Sequence, residues 1–187
     1  MDIVQDIRNF VEKECKKPAS KYGYDPFPFH FIPVANYAEK LADELGGDKE
    51  VILISAWLHD IGSIIHGRKN HHITGTKIAE EKLKEFNYPA EKIEKVKKCI
   101  FNHRSSQQNK RNSIEEQIVA EADALACFDD IAGIFQAAFC WEGHKSRLSA
   151  IISVKQKLER KWKQLHFDNS KKIIKPKYKA AMLLLRQ

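Results

Sequence analysis

The chain has 187 residues, enough for one domain with a sizeable core. Its 43% hydrophobic and 30% charged residues are the proportions of an ordinary soluble globular protein, and no apolar run is long and uninterrupted enough to span a bilayer. The net charge of +7 is uneven: residues 143–187 hold thirteen Lys or Arg against Glu159 and Asp168, a net of +11 that leaves −4 for residues 1–142. Such a basic segment suits nucleic acid, an anionic substrate or an acidic partner, or forms the solvated face of terminal helices, which is the simpler expectation.

The start, Met1 to Asp6, carries acids and no apolar signal core, so it does not read as a secretory or transit peptide and the cytoplasm is the expected compartment. Ile3, Ile7, Phe10 and Val11 recur at helical spacing. Lys16 to Phe29 reads as a loop broken by Gly23, Pro26 and Pro28. Cys15, Cys99, Cys127 and Cys140 lie far apart with no C-x-x-C pair, which excludes a zinc knuckle and a redox motif and leaves reduced, mostly buried thiols.

A second helix is expected from near His30, with Val34, Ala38, Leu41 and Leu45 on one face and Gly46-Gly47 at its end. Asp48 then caps a third, carrying Val51, Ile54, Ser55 and Leu58 and ending near Asp60–Gly62. Ile64 to Asn70 reads as a polar loop. A fourth helix runs from about His72 to Asn87 on the stripe Ala79, Leu83, Phe86, and a fifth starts at Pro89 and carries Ile93, Val96, Ile100 and then His103. Ser105 to Asn112 reads as a turn. Ser113 with Glu116 forms a capping box for a sixth helix through Ile118, Val119, Ala122 and Leu125. Two or three more follow, one from Ser146 to about His166 with Ile151, Leu158, Trp162 and Leu165 as its buried stripe. No strand-type alternation and no linker interrupts this pattern. The expectation is an all-α, single-domain helical bundle over residues 1–187, with a core at about 30–130 on which the N-terminal helix and the basic C-terminal helices pack.

The chemistry concentrates at His59-Asp60. An imidazole beside a carboxylate at the end of an apolar helix is costly unless something uses both, and a mixed nitrogen and oxygen set suits a transition metal. His30 and Asp123 stand where they can join. The helices around Gly46–Asp48 form a hairpin, with His30 about 17 residues and His59 about 12 residues from the turn. At ~1.5 Å per residue the two fall near its open end, offset by roughly 7 Å. Asp123 has Val119, Ala120, Ala126 and Cys127 as helical neighbours, so its carboxylate projects from a buried face. That placement is unfavourable without a partner, and a metal ion supplies one. His103 continues the stripe of Val96, Cys99 and Ile100 and also faces inwards. The stripe through Ala79, Leu83 and Phe86 favours His72 as the inward residue of the fourth helix.

The segments His30-Phe31-Ile32-Pro33-Val34-Ala35, Leu58-His59-Asp60-Ile61-Gly62, His71-His72-Ile73-Thr74-Gly75, Asn102-His103-Arg104 and Ala122-Asp123-Ala124-Leu125 together resemble the HD-domain superfamily of metal-dependent phosphohydrolases. The resemblance covers about His30 to Asp130. It implies His30, His59, Asp60 and Asp123 as metal ligands, with His59 and Asp60 as the catalytic pair and a divalent Mn, Fe, Co, Ni or Zn ion, one or two per chain. It implies His71 or His72, with His103, as second-metal ligands or phosphate contacts; the His-x-x-x-Gly pattern at His71 and Gly75 tips the balance to His71. Arg104, and Arg68 and Lys69 in the loop after the His-Asp pair, are the cations placed to meet phosphate. The chain departs from nucleotide-hydrolysing relatives that carry an acid just after the His-Asp pair, since Ser63-Ile64-Ile65 follows here. The Gly-Tyr-Pro elaboration of cyclic-dinucleotide phosphodiesterases is absent.

The expected function is therefore metal-dependent hydrolysis of a small phosphorylated substrate, a nucleotide or another phosphate ester, with monoester, diester and pyrophosphate cleavage all open. The alternatives are a non-catalytic HD-type module that binds a nucleotide or RNA and, with less support, an HD-type di-iron oxygenase. No membrane partner is expected, and nucleic acid is possible but not favoured.

Overall fold

The computed structural model describes residues 2–104 and 110–186, and the polar turn expected from Ser105 to Asn112 lies, for residues 105–109, outside them. The described residues are helical with no strand, and they group into two compact units, residues 1–123 and 124–187.

In the first unit, α1 (Ile3–Lys16) starts at Asp2, whose carboxylate accepts the Gln5 N–H, and buries Ile7, Val11 and Cys15. A single π-helical turn, Phe27–Phe31, precedes α2 (Ile32–Leu45). Here the structure corrects the expectation of a loop up to Phe29 and a helix from near His30. Pro28 does not break the chain because the first N–H groups of a helix have no partner to lose. The Ile32 N–H reaches back to the Phe27 carbonyl, and this wider turn carries His30. Phe27 and Phe31 anchor it in the core, Phe27 stacking on Trp57 with ring centroids 5.8 Å apart.

Asp48 caps α3 (Lys49–Leu58) through the Val51 N–H. The chain turns at His59 and Asp60 and restarts as α4 (Ile61–His66), where a polar loop was expected from Ile64. Buried Ile61 and Ile64 keep this short helix on the core, and the exposed loop shrinks to Gly67–Asn70. Then come α5 (His71–Glu85) and α6 (Ala90–Asn102). α2 packs on α3, α3 on α1 and α6, and α5 on α4 and α6. A Cβ on Gly62 would stand 2.2 Å from the His71 carbonyl oxygen and 2.6 Å from the Gly75 nitrogen. Backbone therefore meets backbone where α4 crosses α5, and only glycine at position 62 allows it.

At the start of α7 (Ile114–Ala126) the Ser113 half of the expected capping box forms, the Glu116 N–H donating to Ser113 Oγ at 3.2 Å, while the Glu116 carboxylate accepts from the Asn112 N–H, one residue before the cap.

The second unit holds α8 (Ile131–Cys140), α9 (Arg147–Gln164) and α10 (Asp168–Leu184), with α9 packing on both neighbours. Asp130 caps α8 and Ser146 caps α9. The buried residues of α9 are Ala150, Val154, Leu158, Lys161 and Gln164, with Leu165 buried just past its end. This corrects the expected stripe at two places: Ile151 and Trp162 are only half-buried, and Trp162 instead stacks on Tyr178 with centroids 4.5 Å apart and planes 9° from parallel. Lys161 is buried, because its long aliphatic stem lies on the apolar side of the helix. Among the cysteines only Cys140 is exposed.

Candidate metal centre

Asp60 stands at the break between α3 and α4, with its side chain 27% exposed. Its two carboxylate oxygens face two different pairs of histidines. Oδ2 lies 3.8 Å from His30 Nε2 and 3.7 Å from His59 Nε2. Oδ1 lies 3.2 Å from His71 Nε2 and 3.6 Å from His103 Nε2. Within each pair the imidazoles face one another through the same atoms: His30 and His59 with Nε2 atoms 3.0 Å apart, His71 and His103 with Nε2 atoms 3.4 Å apart. Two trios, His30–His59–Asp60 and Asp60–His71–His103, thus each present donor atoms close enough to hold one ion. Asp123 stands beside the first, with Oδ1 3.7 Å from His30 Nε2, but is not a member of that trio.

Three of the four rings are oriented by one device. The Nδ1 atoms of His59, His71 and His103 lie 2.8, 2.9 and 2.6 Å from the carbonyls of Ala56, Arg68 and Ile100, each three residues back. A carbonyl only accepts, so the proton belongs on Nδ1 and each Nε2 turns a lone pair into the site. Such fixed tautomers are what metal-ligating histidines need.

The electrostatics agree. Burial draws the His59 pKa down to about 4, which leaves a neutral imidazole. Burial pushes the Asp60 carboxyl up, but the surrounding imidazoles, His59 first, outweigh it and hold the group well below the carboxylate range. For His103, burial acts downward while the hydrogen bond and charge of Asp60 raise its pKa. A proton drawn to His103 and a cation between the rings answer the same need. Buried lone pairs and a shared carboxylate require positive charge between them. The donor set of imidazole nitrogens and carboxylate oxygens fits a divalent transition metal better than Ca or Mg, which prefer oxygen alone.

The remaining expected residues are placed as follows. His72 is buried beside the cluster, its ring 5.2 Å from Phe101 and 5.9 Å from His71, and it does not contribute to either trio. Burial, then the charges of His71 and Arg104, lower its pKa. Arg104 is half-buried directly after His103. Arg68 and Lys69 are exposed in the α4–α5 loop, where the Arg68 carbonyl holds His71.

Several contributors escaped the sequence reading. Ser63 Oγ donates to Asp60 Oδ1 at 3.3 Å, so the residue noted for not being an acid orients the shared carboxylate. The half-buried Tyr22 stands near Arg68 and Asp60; burial and the Asp60 charge raise its pKa against the influence of Arg68. Arg111 donates to the Asn102 carbonyl at 3.1 Å and the His103 carbonyl at 3.5 Å. Burial lowers its pKa while Asp123, Glu121 and Glu116 oppose that fall. No spacing rule points to Tyr22 or Arg111, because each reaches the site from a loop.

The family model for the HD domain matches residues 29–127. An uncharacterized protein of Clostridium beijerinckii is 35% identical over 101 residues, which is 52% of this chain and 62% of that protein, so the chain spans less than two thirds of this relative's length. Among solved structures, YpgQ of Bacillus subtilis in complex with ADP superposes with a TM-score of 0.72 at 20% identity, covering 98% of this chain and 94% of that one. An HD-superfamily hydrolase of Bacillus thuringiensis gives 0.73 at 20% identity, covering 98% and 93%. The Lin1889 protein of Listeria innocua gives 0.72 at 21% identity, covering 98% and 91%. At these identities the three structures are alike in fold.

Proposed function

The chain belongs to the HD-domain family, and from that premise we propose that it is a metal-dependent phosphohydrolase acting on a nucleotide or another small phosphate ester, with room at Asp60 for two divalent ions, one beside each of its oxygens. The observation that carries this reading is the pair of histidine pairs on opposite oxygens of one carboxylate. His30, His59 and Asp60, with Asp123 beside them, would hold one ion, and Asp60, His71 and His103 would hold the other. When bound, the metal supplies positive charge that polarises a phosphoryl group and makes water acidic enough to attack it near neutral pH.

The protein's own residues do the rest. The backbone carbonyls of Ala56, Arg68 and Ile100 fix the direction of each ring through Nδ1 and aim each Nε2 inwards. Ser63 and the backbone at the α3–α4 break hold Asp60 so that both oxygens stay in use. Arg104, Arg68 and Lys69 border the cluster in sequence and offer cations to the charge that grows on phosphoryl oxygens. A nucleotide is the favoured substrate class because the similarly folded YpgQ is described in complex with ADP. The test is metal analysis of the purified protein together with a phosphate-release screen over nucleotides and simple phosphate esters. Two equivalents of transition metal with chelator-sensitive phosphate release support the reading. Iron with oxygen consumption and no phosphate release would overturn it in favour of oxidation chemistry.

A further inference from the structure

The second trio depends on where α6 ends. His103 is the residue just past Asn102, the last of α6, and the carbonyls at a helix C-terminus have no partner within the helix. Such an end frays unless something outside holds it. Arg111 supplies the hold, with Nε on the Asn102 carbonyl and Nη2 on the His103 carbonyl. The Asn102 side chain supplies another, donating through Nδ2 to Glu116 Oε2 at 2.7 Å. Glu116 is 3% exposed and belongs to the first turn of α7. Asp123, which faces His30, lies seven residues later on the same helix, two turns along and so on the same side.

We propose that Asn102, Arg111 and Glu116 form a clamp that fixes His103 against the helix carrying Asp123, and that this clamp sets the affinity of the Asp60–His71–His103 trio for its ion. The inference rests on the two-ion reading above. A metal site tolerates deviations of only about 0.2 Å in its ligand distances. The hydrogen bond from Nδ1 to the Ile100 carbonyl fixes the direction of the His103 ring, but the place of the ring follows the backbone at residues 102 and 103. The first trio draws its residues from the π-helical turn and the α3–α4 break, and none from α6. Loosening the clamp therefore weakens one ion and leaves the other in place. These three are positioning residues, since none of them reaches a trio donor atom.

The competing account is that Glu116 is only part of the α7 cap. Ser113→Ala separates the two, because it removes the cap contact and leaves the clamp intact. The experiment is calorimetric titration of Mn²⁺ into metal-stripped full-length wild type, Asn102→Ala, Arg111→Met and Ser113→Ala, with the thermal midpoint of each. The expected result is two equivalents in the wild type and a second equivalent weakened about 10–100-fold in the Asn102 and Arg111 variants, with the first unchanged. Ser113→Ala should lower the thermal midpoint and keep both equivalents. Unchanged second-site affinity in both clamp variants overturns the proposal, as does a loss that Ser113→Ala reproduces. A wild type that takes up fewer than two ions overturns the two-ion reading itself, and the clamp with it.

Discussion

In residues 1–123 the buried His59, His71 and His103 gather around one carboxylate, whereas in residues 124–187 the buried polar side chains Lys161, Gln164 and Ser170 lie spread along α9 and α10. Among the described residues, both groupings able to hold a metal ion fall in the first stretch. The second carries the basic surplus, and in it Phe139, Trp141, Leu148 and Ile152 are exposed. A single buried polar group along a helix has only its own hydrogen bonds to satisfy. Several rings that turn bare nitrogens toward one carboxylate are stable only with a cation or a proton among them. Burial alone therefore does not mark a site; convergence of donor atoms does.

The comparison is broken most severely by removing the shared group. Asp60→Ala should strip both ions and reduce turnover by at least about 10³-fold, since metal assistance contributes several kcal/mol to such chemistry and each ~1.4 kcal/mol is tenfold. His59→Ala and Asp123→Ala should empty the first trio, with metal content and phosphate release falling together. Chelation comes next. Ions bound to the native state at 100 times their dissociation constant add about 2.7 kcal/mol, so stripping them should lower the thermal midpoint by several degrees. The same treatment of Asp60→Ala should do nothing.

Gly62→Ala tests the backbone approach of α4 and α5. Forcing a methyl against the His71 carbonyl should cost about 1–3 kcal/mol in denaturant unfolding and displace His71 from Asp60, with weaker metal binding as the second readout. A smaller effect belongs to Glu50, which accepts hydrogen bonds from Tyr88 at 2.8 Å and Lys92 at 2.9 Å. Lys92 and then Tyr88 lower its pKa below the ordinary 4.5. A lowered carboxylate pKa stabilises the folded state above the unfolded value, and that contribution is lost as pH falls through the folded one. With the side chain 43% exposed, solvent screening reduces it to about 0.2–1 kcal/mol. Wild type and Glu50→Gln should thus differ in urea midpoint at pH 6 and converge as pH falls through the lowered Glu50 pKa.

The smallest effect sharpens the contrast from the other side. Replacing Lys155, Lys157, Lys171, Lys172 and Lys175 by Gln should leave phosphate release within about twofold, since amphipathic helices turn such charges to solvent. Lys161 is left out because it is buried. Anisotropy titrations with single- and double-stranded RNA and DNA at ~150 mM salt check the same point. Micromolar binding that these replacements abolish would make the basic segment a nucleic-acid surface.

Local pattern in the sequence was enough for the helical class and the caps at Asp48 and Ser113, and it drew attention to His30, His59, Asp60, His103 and Asp123, because periodicity, capping and inward-facing polar groups are local properties. It also placed His30 and His59 at one end of a hairpin, but only to a rough offset, whereas the rings meet at 3.0 Å. Only the tertiary structure decided the rest. The π-helical turn under His30 is stabilised by Phe27 and Phe31 in the core, and Pro28 in isolation reads as a breaker. Of His71 and His72, it is His71 whose Nε2 comes to Asp60 and His103, beside the close approach of α4 and α5 at Gly62, a contact between segments that no helical wheel contains. Trp162 left its expected stripe for the face of Tyr178. Arg111 reaches His103 from across a loop, and the division of labour between the two oxygens of Asp60 exists only once four helical segments have closed around it.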